Sequence, residues 1–191
     1  CFLLCTMMYW HVLLLTTICY RINGKITYAL EGSIFIAGAG VQWLRDKIKI
    51  IDNATQTEKI AKSLKSNSGV YLVPAFTGLG APYWIPNARG ILCGLTRDTK
   101  RDQIVRAVLE SVAFQSHDLF SSMKNDGLKP NLIKVDGGMI KNNWLSQFLA
   151  DIINITVVRS QINDTTALGA AFMAGLGAGV YKSLTEISKN W

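Results

Sequence analysis

The residues best placed to do chemistry are Val135-Asp136-Gly137-Gly138, with Asn142 four positions later. The apolar run Leu132 to Val135 reads as a short strand, and a helical pattern begins at Asn142. In open α/β sheets, ligands bind beyond the carboxyl ends of strands. Two glycines let the backbone approach a flat or anionic ligand closely. A helix start nearby would supply free N–H donors and a positive dipole end. The arrangement therefore suits a nucleotide. The same residues also suit a tight strand-to-helix turn with no ligand at all.

A second candidate is Thr165-Thr166-Ala167-Leu168-Gly169-Ala170-Ala171, a helix start built of small residues. It permits close backbone contact with a ligand or, more simply, with a neighbouring helix. A third is the pair Gly38 and Gly40 inside an otherwise helical pattern. Each costs about 1 kcal/mol against Ala there, so something is expected to approach closely. Tight helix packing is the plain alternative.

Other chemistries find no support. His11 and His117 are isolated, and no Ser-His-Asp grouping can be assembled. Glu31, Asp46, Glu110 and Asp136 form no obvious acid–base pair, and Glu110 and Asp118 read as structural. No Gly-Lys-Ser/Thr phosphate loop occurs. Cys1 and Cys5 have no second Cys pair or His pair for zinc. The cations Arg97, Lys100, Arg101 and Arg106 surround a helix start and read as solvated surface. No complete catalytic centre is legible.

The elements that must position these residues follow from periodicity. Ile18, Tyr20 and Ile22 alternate with polar residues, and Asn23-Gly24 then precedes another β-rich arm. That pair between such arms predicts a β-hairpin over 14–30. Helical spacing predicts helices over 33–47, 57–64, 99–125, 142–153 and 165–181. Thr99 is expected to cap the third, with Asp102 completing a capping box, and Gly127 to close it. Strands are expected over 69–73, 91–95, 132–135 and 155–158. Residues 74–90 form a long loop with three of the four prolines, a length that usually signals function. The alternation of strands and helices indicates an α/β domain.

With 191 residues, 49% hydrophobic and 17% charged, the chain can bury a real core, and global disorder is excluded. The net charge of +7 allows an anionic ligand without pointing to nucleic acid. Residues 1–20 carry no charged side chain, and sixteen of them are apolar. The hairpin leaves about 13 of these residues outside it, too few for a membrane span of about 20. Four unevenly spaced cysteines read as free thiols in a reducing cytoplasm.

Taken together, the motifs become specific. The stretches YALEGSIFIAGAGVQWLRD (28–46), GVYLVPAFTGLGAPYWIPNARG (69–90) and GLTRDTKRDQIVRAVLESVAFQ (94–115) resemble the glycerol kinases of the FGGY carbohydrate kinase family. So do KVDGGMIKNNWLSQFLADI (134–152) and TALGAAFMAGL (166–176). They run in family order and span about residues 14–185.

The resemblance implies the C-terminal half of a two-domain sugar kinase with an actin-like, ribonuclease-H-like ATPase fold. Residues 1–13 would be an irregular remnant of the junction to the N-terminal domain. Residues 14–191 would be the nucleotide-binding domain, truncated at its C-terminal end. The implied reaction is ATP-dependent phosphorylation of glycerol to glycerol 3-phosphate, with Mg²⁺. By motif match, Gly38, Gln42, Gly138 and Asn142 would contact ATP, and Phe2 would pack on glycerol. The family's Asp base belongs to the N-terminal half, so no catalytic residue and no protein metal ligand is expected in this chain. A separately encoded N-terminal half is the implied partner. A homo-oligomer is compatible with the resemblance, and the implied location is cytoplasmic.

One stretch departs from the family. After Cys1-Phe2-Leu3-Leu4 the family continues with Asn-Thr-Gly, where this chain has Cys5 to Val12. The departure reads as a frameshift or a degraded copy. It leaves a second function open: a stand-alone nucleotide-binding or interaction module without catalysis.

Overall fold

A computed structural model of the chain describes residues 14–160, 162 and 164–189. Its first unit is the expected hairpin. Strand β1 (Leu15–Ile22) pairs antiparallel with β2 (Lys25–Glu31). Asn23 and Gly24 turn the chain with φ of 50° and 79°, the positive pair that a two-residue hairpin turn demands. The register shifts between Ile18 and Tyr20, so Cys19 makes a bulge. No helix among the described residues is long and apolar enough to cross a membrane.

Helix α1 spans Gly38–Asp46 and starts five residues later than periodicity predicts. The cause is distant in sequence: the Ser33 carbonyl accepts a hydrogen bond from the Ala81 N–H, 2.9 Å away. A carbonyl bound to the loop cannot start a helical ladder. Helix α2 is Gln56–Ser63, within one residue of the expectation. Strands β3 (Tyr71–Val73) and β4 (Ile91–Cys93) pair antiparallel, and the 74–90 loop connects them. The loop closes on itself through a Leu79–Ile85 bridge and reaches outward through the Tyr83 hydroxyl, which donates to Asp118 at 2.7 Å.

Helix α3 (Arg101–Asn125) is the spine. Every residue from Val105 to Ser111 is buried, so two turns of the helix are covered on all sides. Arg106 is among them, which corrects its expected place on a solvated surface. Its guanidinium Nε donates to Glu110 at 2.7 Å and its Cζ lies 5.0 Å from the centroid of the Trp144 ring. The helix cap is also corrected. Lys100 holds the N-cap position, and its N–H donates to the Gln103 side chain at 3.0 Å. Thr99 instead accepts from the Thr96 N–H at 2.8 Å, closing the preceding turn.

Strand β5 (Leu132–Val135) lies parallel to β6 (Thr156–Arg159), with α4 (Asn143–Ile153) as the crossover between them. A single 3-10 turn, Gly138–Lys141, joins β5 to α4. Helices α5 (Thr165–Gly177) and α6 (Leu184–Lys189) end the described chain, and α6 was not anticipated by periodicity. The main core gathers Val41 and Leu44 of α1, Ala61 of α2, Val70, Leu72, the buried face of α3 and Leu145 of α4. Leu44, Leu109 and Leu145 are essentially inaccessible, each contributing about 1.5–3 kcal/mol by burial. A smaller core joins Ala113, Leu149 and Ile153 to the β5–β6 sheet.

Candidate functional site

Beyond β5 the chain turns through Gly137, whose φ of 99° and ψ of 170° exclude a side chain. A Cβ placed on Gly137 or Gly138 would meet no atom within 4 Å among the described residues. The turn is therefore held open rather than packed. Asp136 fixes it. One carboxylate oxygen accepts from the Gly137 N–H at 2.5 Å, and the other accepts from the Thr165 hydroxyl and from the Thr165 N–H at 3.2 Å. The Thr165 hydroxyl, then the Gly137 N–H, hold the Asp136 carboxyl below the usual carboxylate range. Asp136 thus staples the end of β5 to the start of α5 and is not a free base.

Asn142 follows as the N-cap of α4. Its Oδ1 accepts from the Leu145 N–H at 2.9 Å, and its Nδ2 donates to the buried Thr57 hydroxyl oxygen at 3.2 Å. The neighbouring Glu58 accepts from both the Asn143 N–H and its side-chain amide, each at 3.2 Å. The hydrogen bond from Lys62, followed by those from Asn143, keeps the Glu58 carboxyl below its ordinary range. This corrects one expectation. The first N–H groups of α4 are not all free for a ligand, because a side-chain amide and a carboxylate already occupy two of them. The open feature is the glycine backbone before the helix. Thr57 and Glu58 escaped sequence reasoning, lying 85 positions from their partners, with no local signal to join them.

A cavity of about 380 Å³ lies at the carboxyl ends of β5 and β6, walled by Asp136, Gly137, Ile140, Lys141, Arg159 and Ser160, among others. Arg159 donates to the Asn143 side chain at 2.8 Å. Gly138 and Asn142 flank this wall in sequence without lining the cavity. Gly38 and Gln42 sit one turn apart on α1 and do not line it either. A Cβ on Gly38 would meet no atom within 4 Å among the described residues, whereas one on Gly40 would meet Val108 at 3.0 Å. So Gly40 is the packing glycine and Gly38 is not. The two predicted pairs border one core, which includes Val41 and Leu44 beside the first pair and Met139 and Leu145 beside the second. Phe2 lies outside the described residues.

The second glycine candidate does not pack as expected. A Cβ on Gly169 of α5 would meet nothing within 4 Å among the described residues, and Phe172 is the only buried residue of that helix. The start of α5 is itself filled by Asp136 and by Asp164, which accepts from the Ala167 N–H at 3.0 Å. No group of three or more His, Cys, Asp or Glu side chains gathers among the described residues.

The comparisons agree with one another. The sequence pattern of the "FGGY family of carbohydrate kinases, C-terminal domain" matches residues 16–178. The chain is 57% identical over 178 residues to glycerol kinase 1 of Pseudomonas aeruginosa, covering 93% of this chain and 36% of that protein. A glycerol kinase of Coxiella burnetii is 58% identical over the same shares. The crystal structure of Plasmodium falciparum glycerol kinase with ADP superimposes with a TM-score of 0.83 at 42% identity, covering 94% of this chain and 36% of that one. Gluconate kinase from Lactobacillus acidophilus gives 0.74 at 30% identity, with 86% and 34% covered. The chain thus spans little more than a third of the length of these relatives. Its fold is that of their C-terminal, actin-like ATPase domain, and the chain belongs to the FGGY family of carbohydrate kinases.

Proposed function

We propose that this chain is the nucleotide-holding domain of a glycerol kinase, an enzyme that moves the terminal phosphoryl group of ATP to glycerol. The observation that carries this reading is the open Gly137-Gly138 backbone at the carboxyl end of β5, the position where α/β sheets receive ligands. Gly38 and Gln42 of α1, with Gly138 and Asn142, are the proposed nucleotide contacts. The likeness to glycerol kinases, one of them solved with ADP, supports both the substrate and the nucleotide. Residues 14–191 form the nucleotide-binding domain on this reading, residues 1–13 belong to the junction with an N-terminal half, and Phe2 faces glycerol. The location is cytoplasmic.

Phosphoryl transfer needs an in-line hydroxyl, a residue to orient or deprotonate it, and cations on the phosphates. The residues of this chain serve the in-line geometry, by fixing the nucleotide on one wall of the cleft and, through Phe2, by packing on glycerol. The N-terminal half supplies the Asp base. Mg²⁺, when bound with ATP, would supply the positive charge on the phosphates. The 191 residues alone therefore bind nucleotide and do not phosphorylate glycerol.

Calorimetric titration with ADP tests the site. Gly138→Asp puts an anion into open space, so the fold is retained while ADP binding weakens about tenfold or more. Equal affinity in the variant and the parent chain overturns the site. Turnover of glycerol by the purified chain, free of host kinase, overturns the division of labour and favours a self-sufficient enzyme.

A further inference from the structure

We infer that Thr57, on α2, is a positioning residue for the nucleotide turn and acts through Asn142; the inference rests on the nucleotide reading above. Thr57 is 2% exposed. Its hydroxyl donates its one proton to the Ala54 carbonyl at 2.7 Å. Toward Asn142, therefore, its oxygen can only accept, and the group facing it at 3.2 Å must be the Asn142 NH₂. Independently, the Leu145 N–H can only donate, and the atom facing it at 2.9 Å is Asn142 Oδ1. Two partners on opposite ends of the amide thus impose the same orientation. Flipping it would set oxygen against the Thr57 oxygen and NH₂ against an N–H, losing both bonds. One Nδ2 proton and one Oδ1 lone pair are left over, with their directions fixed by these two bonds.

The support beneath Thr57 is rigid. Glu58, its neighbour, binds the first N–H of α4. At the other end of α2, the Arg106 guanidinium donates to the Ala61 and Leu64 carbonyls, and Arg106 is itself held by Glu110 within the spine helix. Helix α2 is thereby clamped to α3 at one end and to the start of α4 at the other. None of these side chains needs to touch the nucleotide; they decide where Asn142 points.

The test uses the whole 191-residue chain, with ADP as the probe in calorimetry and ¹⁵N NMR of the Asn142 side-chain amide. Thr57→Val keeps the volume and removes the acceptor. It is expected to weaken ADP about 3- to 10-fold, the value of one hydrogen bond, and to shift the Asn142 amide signals. Thr57→Ser keeps the hydroxyl and restores affinity to within about twofold. In an Asn142→Ala background, Thr57→Val has no further effect on binding. A loss of the same size in that background would reveal mere destabilisation and overturn the inference, as would parental affinity in Thr57→Val. Should the Val variant not fold, Thr57→Ala carries the same cycle. If Asn142→Ala binds ADP like the parent chain while Thr57→Val still shifts the amide signals, the Thr57–Asn142 geometry stands, but the nucleotide reading fails and this inference fails with it.

Discussion

Gly38 and Gly40 lie two residues apart on α1 and have opposite surroundings. Gly40 is buried, and its missing Cβ makes room for Val108 of the spine at 3.0 Å and Ile36 at 3.6 Å. A Cβ on Gly38, Gly137 or Gly138 would meet nothing within 4 Å among the described residues. The contrast extends to whole regions. Around α3 even charged groups are enclosed and paired, whereas the rim that carries the proposed contacts keeps bare backbone exposed. The same residue type thus serves two purposes: close packing inside, and access at the edge. At Gly38 a protein with only structural demands would gain from a side chain, because glycine costs about 1 kcal/mol in a helix, whereas the positive φ of Gly137 requires glycine whatever it faces.

The largest expected effect lies in the enclosed region. Glu110→Ala leaves the Arg106 guanidinium buried without its carboxylate, and also strands the Asn67 amide that donates to Glu110 at 2.8 Å. Breaking one side of such a pair costs about 3–5 kcal/mol, to be read as a shifted midpoint in urea. A loss under about 1 kcal/mol would mean that water reaches the pair, and the contrast between spine and rim would lose its firmest point. Replacing both partners by Met and Leu is expected to recover most of the loss, because desolvation offsets much of the attraction.

A smaller effect separates the two glycines directly. Gly40→Leu must push against Val108 and is expected to cost about 1–3 kcal/mol. Gly38→Leu starts from a Cβ with no neighbour within 4 Å among the described residues and is expected to leave stability within about 0.5 kcal/mol or raise it, while weakening ADP. Denaturation and titration on the same two samples check this. Equal destabilisation by both would erase the distinction between a packing glycine and an access glycine.

How far these features could be read in advance depends on the range of the interaction behind them. The hairpin turn, the end of α3 at Asn125 and the strand Leu132–Val135 rest on local chemistry: turn residues, a helical period and a short apolar run. They stand where periodicity puts them. The start of α1 depends on the Ser33–Ala81 bond, 48 positions apart, and periodicity cannot sense it. Arg106 escaped for a different reason. Helical patterning assumes one buried face, but α3 is buried on all sides from Val105 to Ser111, so an arginine beside basic neighbours looked solvated. The glycine turn was legible as a turn. Its openness was not, because open space is a property of what does not pack there.

The smallest effect concerns the 74–90 loop, which is neither spine nor rim but is tied to α3 through Tyr83 and Asp118. That hydrogen bond, then partial burial, then the charge of Asp118, raise the Tyr83 phenol to about 12. An unfolded tyrosine ionises near 10. The folded state thus holds this proton more tightly, and the bond's contribution is complete below about pH 10. It is lost as pH rises from there through 12. Tyr83 is 49% exposed, so solvent limits the contribution to about 1 kcal/mol at most. Denaturation of the parent chain and Tyr83→Phe between pH 8 and 12 is expected to give two stability curves that run apart at the low end and converge at the high end. A constant separation would place the difference in packing rather than in the phenol proton, and the loop would then belong with the enclosed core.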